Sequence, residues 1–270
     1  METFKAERLS TPTKNDLLRA KKANQSVVCT RTVAAVNHEL ELLRAMLNFA
    51  KREGWLFRSP FELGANLISK IDENQRERVL SHDEERRLLG ELGKPRRKHL
   101  LPFVITALDT GLRRGELFKL CWSDVDLSNK LITIQAMITK TLTKRVVGIT
   151  PRVEDELRKL YERSMDKTNG LVFNLTTSIK TGLSSALKDA EIEGFHFHDS
   201  RHTAITRMVN EGLASGEVMK TSGHTQMKTF QRYVNPTEDT VRRNAERLGQ
   251  YNKVRMSEIA DKNKNEESIN

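Results

Sequence analysis

Between His198 and Tyr233 the chain gathers groups suited to holding and attacking a phosphate. The stretch reads HDSRHTAITRMVNEGLASGEVMKTSGHTQMKTFQRY. His198 and Arg201 lie at i and i+3, so a helix starting there sets both on one face. An arginine offers a fixed fork of donors that matches two phosphate oxygens. A histidine donates to a third oxygen or takes up a proton. A tyrosine hydroxyl, with a pKa of about 10, is a weak nucleophile until cations and a base stand beside it. Taken singly, His198, Arg201, His224 and Tyr233 are ordinary packed or surface residues. Taken together they form a set for phosphoryl chemistry.

Bringing these side chains to one point requires short helices with meeting ends. Asp199 and Ser200 are suitable caps for a first helix. Gly212 closes that run and Gly223 closes a second, as glycines beyond helix ends do. A new helix is expected at His224, with Tyr233 about two and a half turns further along. Upstream, TVAAVNHELELLRAMLNFAKRE carries Val33, Val36, Leu40, Leu43, Leu47 and Ala50 at helical steps. Before it, residues 1–30 are polar and basic, with one short helix expected around Asp16–Lys22. Residues 64–78 read as an exposed linker with a boundary near Asn74–Arg78. SHDEERRLL is a strong helix start, with a serine cap and acids in its first turn. A helix over Arg97–Asp109 follows, with Pro102 near its start. KLITIQ and RVVGIT alternate as two strands of a hairpin with Lys140 and Lys144 about its tip. TPRVEDELRKLYERS then reads as a capped helix, GLVF as a short strand and SIKTGLSSALKDAEI as another helix. PTEDTVRRNAERLGQY reads as a last helix, and DKNKNEESIN as disordered.

Composition narrows the class of partner. The 270 residues hold 46 Lys and Arg against 36 Asp and Glu, a net charge of +10, as expected of a nucleic-acid binder. Aromatic residues make up only 6%, which disfavours single-strand recognition by base stacking and favours duplex backbone. The apolar runs are too short to span a bilayer and no signal peptide opens the chain, so membrane and secretory classes fall away. Cys29 and Cys121 lack metal-ligand spacing, and a reducing cytoplasm is the expected setting. Cys121, Trp122 and Phe230 are expected in the core.

With Arg113 and Lys140 added, the set reads Arg…Lys…His-x-x-Arg…His…Tyr, and the chain resembles the tyrosine recombinases, the phage-integrase family. TGLRRGEL resembles the first box of that family, with Arg113 as its catalytic arginine and Arg114 as the competing residue. ITKTLTKRVVGIT resembles the hairpin that supplies the catalytic lysine, at Lys140, with Lys144 close by. HDSRHT resembles the second box, with His198 and Arg201. SGHTQMKTFQRYVNP resembles the box ending in the nucleophile, with His224 and Tyr233. The match runs from about Arg78 to Pro236. Glu116 and His202 are expected to be structural, Glu116 as a partner for Arg113 and His202 as a buried hydrogen-bonding group.

The resemblance implies an α+β, mainly helical fold. An integrase-type catalytic domain with a small antiparallel sheet occupies 77–236. A partial helical core-binding domain and linker occupy 1–76, and a C-terminal helix and tail occupy 237–270. Few residues precede Thr32 compared with the family's usual core-binding domain, the pattern of a short form or a fragment. It also implies a site-specific recombinase acting on double-stranded DNA as a tetramer, in the cytoplasm at the nucleoid. Tyr233 forms a 3′-phosphotyrosine, Arg113, Arg201 and His224 hold the phosphate, His198 takes the proton and Lys140 protonates the leaving 5′ oxygen. Neither metal, ATP nor another cofactor is expected. A topoisomerase that religates the same strand, and a DNA-binding regulator with an idle site, are the alternatives.

Overall fold

The structure, a computed structural model, describes residues 2–13, 16–17, 20–21, 26, 31–62, 68, 77–136, 144–175, 178–234 and 238–267. Lys140 and Cys29 lie outside the described residues. The chain divides into two compact units, Met1–Arg76 and Glu77–Asn270.

The first unit is helical. Helix α1 (Glu2–Ser10) has no clear apolar stripe, and the sequence reading leaves it out. Its place comes from tertiary partners: Arg8 forks onto Glu39 at 2.9 and 2.8 Å, and Leu9 packs on a small core. Residues 16–17 and 20–21 are helical, within the short helix expected there. Helix α2 (Val33–Arg52) starts at Thr32, whose hydroxyl accepts from the Ala35 N–H at 3.2 Å. Its apolar steps deliver Val36 and Leu40 to that core, where they meet Ile68 and Phe61.

The second unit opens with α3 (His82–Leu92), whose Ser81 and Glu84 form a reciprocal capping box. A 3₁₀ turn at Lys98–Leu100 leads into α4 (Leu101–Thr110), and α5 (Arg114–Phe118) follows directly. Every residue of α4 except Leu101 and Asp109 is buried, so the helix has no solvent face and serves as the centre of the unit. Phe103 on α4 sits among the rings of Phe118, Phe173 and Phe197, with centroids 5.0, 5.2 and 5.1 Å away.

A three-stranded antiparallel sheet comes next: β1 (Val125–Asp126), β2 (Leu131–Ile134) and β3 (Arg145–Gly148). The pairing runs from Leu131 opposite Gly148 to Ile134 opposite Arg145, which turns Ile132, Ile134, Arg145 and Val147 inward. The remaining helices are α6 (Pro151–Arg163), α7 (Lys180–Asp189), α8 (Phe197–Asn210), α9 (Ser215–Ser222), α10 (Met227–Phe230) and α11 (Glu238–Glu267). Helix α4 packs on both α6 and α8. An ion network braces the same elements: Arg152 on α6 bonds Asp109 at 2.8 Å and Glu85 on α3 at 2.6 Å, and Glu85 also holds Arg207 on α8.

Three expectations change. GLVF is not a strand: Leu171 makes a single bridge with Cys121, after which Phe173 turns into the core. The terminal segment expected to be disordered continues α11 as far as Glu267, because extending an existing helix fixes one residue per new hydrogen bond. Cys121 is only partly buried, whereas Trp122 and Phe230 are core residues. Among the described residues no helix is long and apolar enough to cross a membrane.

Candidate active site

The site begins where α4 stops. Gly111 takes a left-handed φ of 64° and its N–H returns to the Ala107 carbonyl at 3.1 Å, a conformation that favours glycine. The chain turns and delivers Arg113 to the start of α5. The Arg113 N–H is accepted by Glu116 Oε2 at 2.8 Å, and its Nη1 meets Glu116 Oε1 at 2.9 Å. The Arg113 Nη2 donates to the Gly223 carbonyl at 3.2 Å, and 27% of the side chain remains exposed. Arg114 is exposed and lines a 590 Å³ cavity with Lys180, Phe195, Phe197 and His198.

Helix α8 is capped three residues earlier than Asp199, the first of the two caps expected. His196 is its N-cap, and the Asp199 carboxylate reaches back to the His196 N–H at 2.7 Å. Asp199 is thus the third helical residue rather than the cap. His198 in the first turn is exposed, while Arg201 one turn on is buried. Arg201 spends its fork on two carbonyls, Gly111 at 2.8 Å and Ser222 at 2.7 Å.

Those bonds converge on the C-terminus of α9. Gly223 closes that helix at φ 75°, and the N–H groups of Gly223 and His224 both return to the Met219 carbonyl, at 2.8 and 2.9 Å. Three successive carbonyls at this end are each taken by an arginine: Thr221 by Arg145 at 2.9 Å, Ser222 by Arg201 and Gly223 by Arg113. A helix C-terminus carries partial negative charge, so cations gather there at low cost.

No helix starts at His224, contrary to expectation. Helix α10 begins at Met227, lasts four residues and passes into a 3₁₀ turn, Gln231–Tyr233. That irregular path folds the tyrosine back. The Tyr233 ring lies 5.4 Å from His224, 4.8 Å from His202 and 5.7 Å from Phe230, and is buried. His202 is buried as expected, but its Nδ1 has no hydrogen-bond partner among the described residues.

Burial and the clustered guanidinium groups control protonation here. Burial first, then the Arg113 charge, pushes Arg201 down to about 10. Burial, then Arg201 and Arg113, pushes His224 down to about 4. His198 is likewise lowered, by desolvation and then by Arg201. For Glu116 burial acts upward, but the hydrogen bonds and charges of Arg145 and Arg113 outweigh it and keep the carboxylate ionised. The neutral His224 imidazole and buried Arg201 therefore stand by Tyr233, an arrangement that accepts an anion.

Sequence reasoning missed two participants. Arg145 is buried, forks onto Glu116 at 3.0 and 2.6 Å, and belongs to the inward face of β3. Its inward position in the strand alternation was the available signal. Ser222 is buried, and its hydroxyl sits 2.8 Å from His224 Nδ1 and donates to the Val218 carbonyl at 2.6 Å. When the hydroxyl hydrogen turns to Nδ1 instead, Nε2 carries the ring proton and becomes a donor. Lys144, which the sequence reading weighed against Lys140, is exposed beside a 370 Å³ cavity bordered by Lys220 and His224.

The phage integrase family model matches residues 78–239. Among curated proteins, the shufflon-specific DNA recombinase of Escherichia coli is 34% identical over 203 residues, covering 73% of this chain and 50% of that protein. The integrase of Salmonella phage P22 is 29% identical over 219 residues, covering 74% and 54%. The chain thus spans about half the length of these relatives. Among solved structures, the Tn1549 transposon integrase in complex with a circular intermediate DNA has a TM-score of 0.67 at 18% identity, covering 85% of this chain and 82% of that one. At that identity the likeness concerns the fold alone.

Proposed function

Because the chain belongs to the phage integrase family, we propose that it is a site-specific recombinase that cuts and rejoins duplex DNA through a tyrosine–phosphate bond. One observation carries the reading: Arg113 and Arg201 bond adjacent carbonyls of a single turn, and that same turn holds His224 against Tyr233. A phosphodiester brought to this turn meets a partly exposed fork on Arg113 and, on the neutral His224, an Nε2–H donor once Ser222 bonds Nδ1.

The Tyr233 oxygen attacks phosphorus and forms the new P–O bond, while the bond to the 5′ oxygen breaks. His198, neutral at pH 7, receives the tyrosine proton. Lys140 gives a proton to the departing oxygen. Arginine charge and oriented donors stabilise the added charge on the non-bridging oxygens, so neither metal nor ATP enters. The 3′-phosphotyrosine keeps one phosphate ester for another, and a 5′ hydroxyl from a second duplex reverses the step. Exchange of this kind needs several protomers on DNA. In this reading α11, whose Val241, Ala245 and Leu248 are exposed, docks on a neighbouring copy, and the first unit adds DNA contacts.

The test uses nicked duplexes made from the DNA flanking the chain's own gene. Wild-type protein is expected to leave an adduct that survives denaturing electrophoresis. Tyr233→Phe is expected to bind the same duplex and leave none. Adducts persisting in that variant move the nucleophile elsewhere, and relaxation of supercoils without recombinant products supports same-strand religation instead.

A further inference from the structure

Arg145 is built into the site from behind. Strand alternation turns it inward beside Val147, and it is 8% exposed. Each oxygen of Glu116 is shared between one nitrogen of Arg145 and one of Arg113: Oε1 takes both Nη1 groups, and Oε2 takes Arg145 Nη2 and the Arg113 N–H. A carboxylate gripped by a fork cannot rotate freely, so the direction of Arg113 is referenced to Arg145. The third donor, Nε, holds the Thr221 carbonyl at 2.9 Å in the turn that carries His224. The guanidinium also lies against Gly223, where an added Cβ would stand 3.2 Å from its Cζ, Nε and Nη1.

Neutralising Glu116 does not call for this arrangement. Arg113 already supplies one cation, and burying a second guanidinium carries a desolvation cost. What the second cation adds is geometry. It ties β3, the start of α5 and the end of α9 into one frame, and β3 begins directly after Lys144.

We propose that Arg145 is a positioning residue for strand cleavage. It sets Arg113 through Glu116 and sets His224 through the Thr221–Gly223 turn, without itself touching the phosphate. The assignment rests on the tyrosine-cleavage reading given above.

Two variants test it. Arg145→Met keeps an apolar stem and removes the fork. Arg145→Met combined with Glu116→Gln also removes the buried charge that the first leaves with half its partners, so a folding failure of the single variant does not end the test. Each is assayed on a nicked duplex with an ordinary phosphodiester at the cleavage position and on one with a methylphosphonate there. The methylphosphonate lacks the non-bridging negative charge that Arg113 answers. Folded Arg145→Met is expected to bind DNA as wild type does, yet cleave the phosphodiester about 100-fold more slowly. Relative to wild type on the same substrate, most of that loss should disappear on the methylphosphonate, as it should for Arg113→Ala. The double variant should show the same split. If wild-type protein forms no adduct, the cleavage reading fails and this assignment with it. If wild type cleaves and the folded variants match its rate, or lose equally on both substrates, the cleavage reading stands and Arg145 is not a positioning residue.

Discussion

At His198 and His224 the arginines that would hold a phosphate also help set the state of the imidazoles. Both rings titrate below the ordinary 6.5. The proton-accepting form of His198 therefore persists to lower pH than in a free histidine. The midpoint of the acid limb of single-turnover adduct formation should lie below 6.5. A midpoint above 6.5 would remove His198 as the base. His224 gives a separate stability signal. Its folded value of about 4 lies under the unfolded 6.5, so its contribution is present above 6.5 and is lost as the pH falls from 6.5 towards 4. The melting temperature of DNA-free protein should drop across that window, and less in His224→Gln. Gly223→Ala places a Cβ at left-handed φ 75° against the Arg145 guanidinium. It should cost about 1–2 kcal/mol from backbone strain alone, and chemical denaturation would measure it.

Among the elements, α11 is largely exposed along its described length. Arg243 donates to the Asn210 carbonyl at 2.6 Å, while Val241 and Leu248 remain 57% and 60% exposed. Truncation after Pro236 therefore removes a surface cap and little apolar contact. The free protein should lose about 1 kcal/mol, or about 2–4 °C in melting temperature. Recombination should fail if the helix docks on a neighbour. A large loss of thermal stability, with assembly on DNA intact, would show that the helix serves its own unit. Helices α2 and α3 were legible because their caps and apolar spacing are local. Helix α1 was not, since its support comes from Glu39 and the core formed by Val36 and Leu40. The segment after His224 also escaped periodicity, because its 3₁₀ turn is shaped by packing of Phe230 and Tyr233.

For the whole molecule, a net charge of +10 predicts that affinity for unrelated duplex falls steeply with salt. Each phosphate neutralised should contribute about −0.9 to the slope of log affinity against log salt. Titrations between low and physiological salt would measure the slope. A nearly flat dependence would mean that the excess charge does not face DNA.

The sequence alone supplied the candidates. Arg113, Lys140, His198, Arg201, His224 and Tyr233 came from boxes that resemble those of a known family. Such boxes are local in the chain, as are the serine cap at Ser81 and the alternation of β2 and β3. Of these candidates the structure joins Arg113, Arg201, His224 and Tyr233 about one turn. Tertiary structure decided how those groups are held. Arg145 and Glu116 are 29 residues apart, and Arg201 reaches Gly111 across 90. No local pattern encodes such pairs. They follow from where α4 stops, which face of β3 is buried, and the need of buried carbonyls and a buried carboxylate for donors.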